Sequence, residues 1–223
     1  MRITTQSLHR NNLKVTRDET RGFMWFYKGR DDTKDADMKK IFDLLLSICL
    51  LLVLLVPILV IAVLVKLTSK GPALYWSDRV GVGNGIFKMP KFRTMFIDTP
   101  AVATHLLKEP DAYLTPIGQL LRKTSLDELP QLWSVLKGDM SFVGPRPALF
   151  NQDDLIALRT KRGVHQLIPG ITGWAQINGR DDIPIPVKVE YDEYYLKNQS
   201  FLFDLKILWN TFFKVIKKEG VVH

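Results

Sequence analysis

Three short clusters carry residues able to handle phosphate esters. Ser125-Leu126-Asp127-Glu128-Leu129-Pro130-Gln131 places two carboxylates side by side, Gly144-Pro145-Arg146-Pro147 sets a guanidinium between two prolines, and Lys91-Phe92-Arg93-Thr94-Met95 puts two cations on alternating positions. Phosphoryl transfer asks for little more than an in-line nucleophile, a divalent metal and positive charge around the phosphates. An aspartate can be that nucleophile, forming an acyl phosphate. Mg²⁺ is commonly held by one or two carboxylates together with substrate phosphates. A planar, permanently charged arginine fork suits phosphate oxygens better than a lysine, and flanking prolines stiffen its support.

Each cluster also has a plainer explanation. Ser125 and Glu128 have capping-box spacing, and acidic residues in a first turn complement the helix dipole. Pro130 weakens that explanation, because it falls at the fifth helical position if Ser125 is the cap and would break the ladder there. A helix starting at Pro130 leaves Asp127 and Glu128 just before it, free to face a ligand. Pro-Arg-Pro alone could be a solvated turn, and Lys91 and Arg93 could simply solvate a strand.

Competing chemistries find no support. The four histidines (His9, His105, His165, His223) are scattered without metal-ligand spacing. The single cysteine, Cys49, excludes an internal disulfide. No Ser-His-Asp set, Walker loop or HExxH helix is present, and Gly81, Gly83 and Gly85 lack dinucleotide-binding spacing. The net charge of +8 over 223 residues points to anionic partners. Nucleic acid is not expected among them, since no recognisable module or aromatic-basic interleaving is present.

The elements that must position these residues begin with residues 1–38, a polar extension with one aromatic cluster, Trp25-Phe26-Tyr27, suited to a membrane interface. The run Leu44–Val65 holds no charge and would span about 33 Å as a straight helix, enough for a bilayer core. Pro57 kinks it, and lysines flank both ends, so spanning and re-entrant geometries both fit. Tyr75–Val80 and Ile86–Met89 read as a hairpin with a two-residue Asn84-Gly85 turn. Leu114–Lys123 and Leu129–Lys137 read as short helices, and Pro145 to Pro186 as loops with short helices. Phe201–Lys218 has helical period, with Phe201, Leu205, Leu208, Trp209, Phe212 and Ile216 on one side. That face could pack on a core or lie in a membrane plane.

From about Lys39 onward the chain resembles the monotopic phosphoglycosyl transferases, bacterial sugar transferases that start glycan assembly on polyprenyl phosphate. The strings that carry the resemblance are Lys40-Ile41-Phe42-Asp43, Thr68-Ser69-Lys70-Gly71-Pro72, Phe87 to Met95, Ser125 to Pro147, and Pro169 to Arg180. The resemblance implies an α+β, mainly helical fold. It divides the chain into residues 1–38, a re-entrant membrane helix over 39–67 kinked at Pro57, and a catalytic domain over 68–223 with a short β-hairpin and interfacial amphipathic helices. It implies a UDP-sugar donor and a polyprenyl (undecaprenyl) phosphate acceptor in a ping-pong scheme that releases UMP. Asp127 would be the nucleophile, Glu128 would help hold Mg²⁺ beside it with Asp127 as the other candidate ligand, and Lys91 and Arg146 would bind phosphates. Pro145, Arg146 and Pro147 would lie near the uridine. The expected location is the bacterial inner membrane with the catalytic domain on the cytoplasmic face, and a homodimer is compatible. The donor reads by analogy with the small family members as an N-acetylhexosamine type. One departure is Val56 before Pro57, where the family usually has a serine whose hydroxyl could satisfy a freed backbone group. A membrane scaffold that keeps the fold without turnover is the alternative, opposed by the intact Asp127, Glu128, Lys91 and Arg146.

Overall fold

The long apolar run folds as two helices, α1 (Thr33–Val53) and α2 (Leu55–Thr68), bent by 62° at Leu54. In the computed structural model, residues 33–100, 108–179 and 183–216 are described. The aromatic cluster Trp25-Phe26-Tyr27, with Arg180, Lys217 and Lys218, lies outside them. Pro57 has no N–H, and in a continuous helix its ring would clash with the carbonyl of Val53. The chain therefore breaks one turn upstream, while Leu54 N–H still donates to the Leu50 carbonyl and Ile58 N–H to that of Leu54. Among the described residues no single helix is long and apolar enough to cross a membrane, although the bent pair passes that test together. α1 starts at Thr33, within the stretch that reads as polar extension, helped by Asp35 in its first turn.

Both helices have a packed side and a bare one. Leu46, Leu50, Leu51 and Leu54 pack against the main core of Met140, Phe142, Tyr195 and Ile207. Ile61 and Val65 of α2 pack with Phe92 and Leu121 in a second cluster that also receives Leu126 and Leu129. The outward side chains, including Leu45, Leu52, Val56, Leu59, Val63 and Leu67, are apolar and exposed. A buried polar seam joins α1 to the rest. Lys39 Nζ donates to the Val143 carbonyl (2.9 Å) and to Asp204 Oδ2 (2.5 Å), Tyr195 Oη donates to Asp204 Oδ1 (2.6 Å), and Phe142 N–H donates to Asp43 Oδ1 (3.3 Å).

Strands β1 (Leu74–Val80) and β2 (Ile86–Phe92) form the expected antiparallel hairpin, in register Tyr75↔Lys91, Trp76↔Pro90 and Val80↔Ile86. Its turn is longer than Asn84-Gly85 alone. Gly81 N–H bonds the Gly85 carbonyl around a 3₁₀ turn, with both Gly83 (φ 62°) and Asn84 (φ 63°) left-handed. Glycine and asparagine adopt that region most readily, so the local signal marked the right place and understated the loop.

Short helices α3 (Gly118–Lys123) and α4 (Leu132–Lys137) flank a 3₁₀ turn over Leu126–Gln131. One reading of the sequence began a helix at Pro130 with the carboxylates just ahead of it; they lie inside this 3₁₀ turn instead, and the α-helix begins at Leu132. An i→i+3 turn accommodates Pro130, whose ring conflicts with an i−4 carbonyl only in α geometry. The stretch from Pro145 to Pro186, read as loops with short helices, does contain the short helices α5 (Asp153–Lys161) and α6 (Trp174–Asn178), and also an unexpected strand, β4 (Gly170–Thr172), paired in parallel with β3 (Ser141–Val143). This pairing depends on glycine. A Cβ on Gly170 would sit 2.1 Å from Gly144 N, and one on Gly173 would sit 2.1 Å from the Gly144 carbonyl oxygen.

Helices α7 (Ile185–Asn198) and α8 (Phe201–Ile216) close the fold. α8 turns Asp204 and Ile207 inward, whereas Leu202 (77% exposed), Trp209 (65%) and Phe212 (58%) face outward. A core-packing helix would bury its large apolar residues. This one exposes most of them.

Candidate active site

The site begins on strand β2. Pairing of Tyr75 with Lys91 turns the lysine towards the 3₁₀ turn that carries Asp127 and Glu128. Leu126 and Leu129 in that turn pack into the α2 cluster, which leaves the intervening carboxylates directed away from it. The turn is entered through Ser125 in a left-handed conformation (φ 56°), sparsely populated for a residue with a side chain.

Glu128 is the hub. Its Oε1 accepts from Lys91 Nζ (2.6 Å) and from Arg146 Nη2 (3.2 Å), so residues 37 and 18 positions away meet on one oxygen. The capping-box explanation fails here, since Ser125 makes no side-chain cap and the glutamate turns to the cations. Burial pushes the Glu128 carboxyl up, but the charges and hydrogen bonds of Lys91 and Arg146 outweigh it and hold it well below the usual carboxylate range.

Asp127 is only 8% exposed. Burial pushes its carboxyl up, with Lys91 opposing, the Glu128 charge adding, and Arg122 opposing. Adjacent carboxylates thus have different environments, one locked as an anion and one whose charge is poorly solvated. Such divergence is common at functional sites.

Arg146 reaches Glu128 from an irregular segment held on both flanks. Gly144 N–H donates to the Thr172 carbonyl and Gly170 N–H to that of Pro145, both at 2.9 Å. On the other side Val80 N–H donates to the Ala148 carbonyl (2.9 Å) and Arg79 Nη1 to that of Pro147 (3.1 Å). Pro145 and Pro147 therefore flank Arg146 as structural supports, and Pro-Arg-Pro is no solvated turn. Arg93 does not join the group. β2 ends at Phe92, and Arg93 Nε donates to the Pro72 carbonyl (3.0 Å) with its guanidinium over Tyr75.

One site residue escaped sequence reasoning. Arg122, in the last turn of α3, is half-buried within electrostatic reach of Asp127, and donates to Thr94 Oγ1 (3.0 Å) and Met95 Sδ (3.2 Å). A basic residue ending a short helix reads as dipole compensation, so no local signal marked it.

The donor set suits a hard cation. Two adjacent carboxylates offer oxygens only, matching Mg²⁺ when substrate phosphates complete the shell. Among the described residues no group of three or more His, Cys, Asp or Glu could hold a metal unaided.

Comparison with known proteins gives this constellation its setting. Residues 34–218 match the family model for bacterial sugar transferases. The chain is 44% identical over 186 residues to an uncharacterized sugar transferase, EpsL, of Bacillus subtilis, covering 82% of this chain and 90% of that protein. It is 34% identical over 203 residues to the undecaprenyl-phosphate galactose phosphotransferase of Salmonella typhimurium, covering 82% of this chain and 41% of that one. It is 37% identical over 183 residues to an N-acetylgalactosaminephosphotransferase of Aeromonas hydrophila that acts on undecaprenyl phosphate, covering 79% and 43%. The chain thus spans about two fifths of these longer relatives and nearly all of the short one. With both carboxylates, both cations and the bent helix pair inside the matched region, the chain belongs to the bacterial sugar transferase family.

Proposed function

We propose that this protein is a phosphoglycosyl transferase that moves a sugar 1-phosphate from a UDP-sugar, of the N-acetylhexosamine type, to undecaprenyl phosphate. The observation that carries this reading is the convergence of Lys91 and Arg146 on Glu128 beside buried Asp127. In the first step an Asp127 oxygen bonds to the β-phosphorus of the donor. The bond from that phosphorus to the bridging oxygen breaks, and UMP leaves with the electron pair. In the second, a phosphate oxygen of the lipid acceptor attacks the same phosphorus and expels the Asp127 carboxylate. Lys91 and Arg146 rotate from Glu128 onto the donor phosphates, where preorganised positive charge counters the charge of the transition state. Asp127 and Glu128 would hold Mg²⁺, which supplies Lewis-acid stabilisation of the phosphoryl oxygens.

A lipid acceptor needs the site at a membrane. The exposed apolar faces of α1, α2 and α8 support a monotopic arrangement in which the bent pair enters and leaves one leaflet while α8 lies in the interface. The donor is expected on the cytoplasmic side of a bacterial membrane. Relatives are named for galactose, for glucose and for N-acetylgalactosamine, so the test is UMP release across a panel of UDP-sugars. Asp127→Asn is expected to abolish release with the preferred donor. Undiminished release in that variant would overturn Asp127 as nucleophile.

A further inference from the structure

The Pro-Arg-Pro segment is braced from behind by an ion pair whose bonds go to neither Asp127 nor Glu128. Arg159 on α5 donates through Nε (2.9 Å) and Nη2 (2.7 Å) to Asp192 Oδ2 on α7. Its remaining arm, Nη1, donates to the main-chain carbonyl of Arg146 at 2.8 Å. Both partners are buried, with side-chain exposures of 9% and 2%. A buried ion pair is weak evidence for added stability, because desolvation offsets most of the attraction. Placement is the better explanation. Three donors in one planar fork fix an angle as well as a distance, which a lysine could not do. The bond ends on the residue whose side chain reaches Glu128. That carbonyl also sits between prolines, where no N–H of Pro147 is available to continue a ladder.

We propose that Arg159 and Asp192 are positioning residues for Arg146. Asp192 orients the Arg159 fork, and the fork holds the Arg146 backbone where its guanidinium can serve the donor phosphates. This rests on the phosphate-binding reading of Arg146 given above. Outer partners that orient a metal's ligands change affinity or activity about 10- to 100-fold when removed, and an effect of that order is expected here.

The test uses the full chain in detergent micelles with the UDP-sugar that gives most UMP. R159Q is expected to raise KM for the donor at least tenfold with a smaller fall in kcat, and R159K to lie between it and wild type. Adding R159Q to R146A should cost little further activity, since residues acting as one unit are not additive. A second arm needs no turnover. R146A should lower the melting temperature of the R159Q protein by less than half of what it does in wild type, because the Arg146–Glu128 pair is already misplaced. Equal R146A shifts in both backgrounds, or activity losses that multiply in full, would overturn the proposal. If R159Q fails to fold, D192N, which keeps shape and an amide oxygen, carries the same cycle. Wild type releasing no UMP from any donor would instead defeat the functional reading, and the melting cycle would still decide whether Arg159 places Arg146.

Discussion

Glu128 and Asp127 are neighbours in the chain with opposite surroundings. Lys91 and Arg146 keep Glu128 ionised in the folded protein, while in the unfolded chain it titrates near the ordinary value of 4.5. As pH falls through that value the unfolded state takes up a proton that the folded state refuses. The stability held by this residue is therefore fully present above about pH 4.5 and lost below it. Melting curves should show a constant gap between wild type and E128Q above about pH 5 that narrows progressively as the pH falls further. A gap that does not narrow would mean that the cations do not hold the carboxylate. The candidate carboxylates, cations and prolines were all legible from residue type and spacing. Arg122, Arg159 and Asp192 were not, because a charged residue on a helix looks like a solvated one until the fold covers it.

At the scale of elements, the seam formed by Lys39, Asp204 and Tyr195 ties the first helix to the last. Lys39 also holds the Val143 carbonyl, which lies three residues before Arg146. Removing one partner of a buried pair leaves an uncompensated charge, so K39M should destabilise the protein by about 3–5 kcal/mol in denaturant titration. The double variant K39M/D204N should recover part of that loss. No recovery would show that Asp204 is not the group left stranded. Turn residues located the hairpin, Pro57 the break in the apolar run, and periodicity the amphipathic final helix. None of these local signals marked the β3–β4 pairing, because a three-residue parallel strand is held by long-range contacts and by glycines that permit backbone approach.

At the scale of the whole molecule, the exposed apolar residues of α1, α2 and α8 have no counterpart on an ordinary soluble surface. The proposed monotopic arrangement puts both chain ends on one side of the membrane. In a Cys49→Ser background, needed because the native cysteine is exposed, single cysteines in the first 30 residues and near residue 220 should react with an impermeant thiol reagent from the same side. Reaction from opposite sides would establish a spanning segment.

Sequence alone determined that a charge-free run is broken by a proline, that phosphate-handling residues stand in three clusters, and to which family they are similar. Those properties are local: apolar length, a missing N–H, adjacent carboxylates. Tertiary structure decided which cations reach the carboxylates. Lys91, Glu128 and Arg146 converge because a hairpin, a 3₁₀ turn packed on α2, and a segment gripped by β4 and β1 bring residues far apart in sequence onto one oxygen. Tertiary structure also decided that Glu128 is no helix cap and that α8 turns Ile207 into the core while Leu202, Trp209 and Phe212 point outward. A side chain's partner and its solvent depend on what the rest of the chain places beside it, and spacing along one segment does not carry that information.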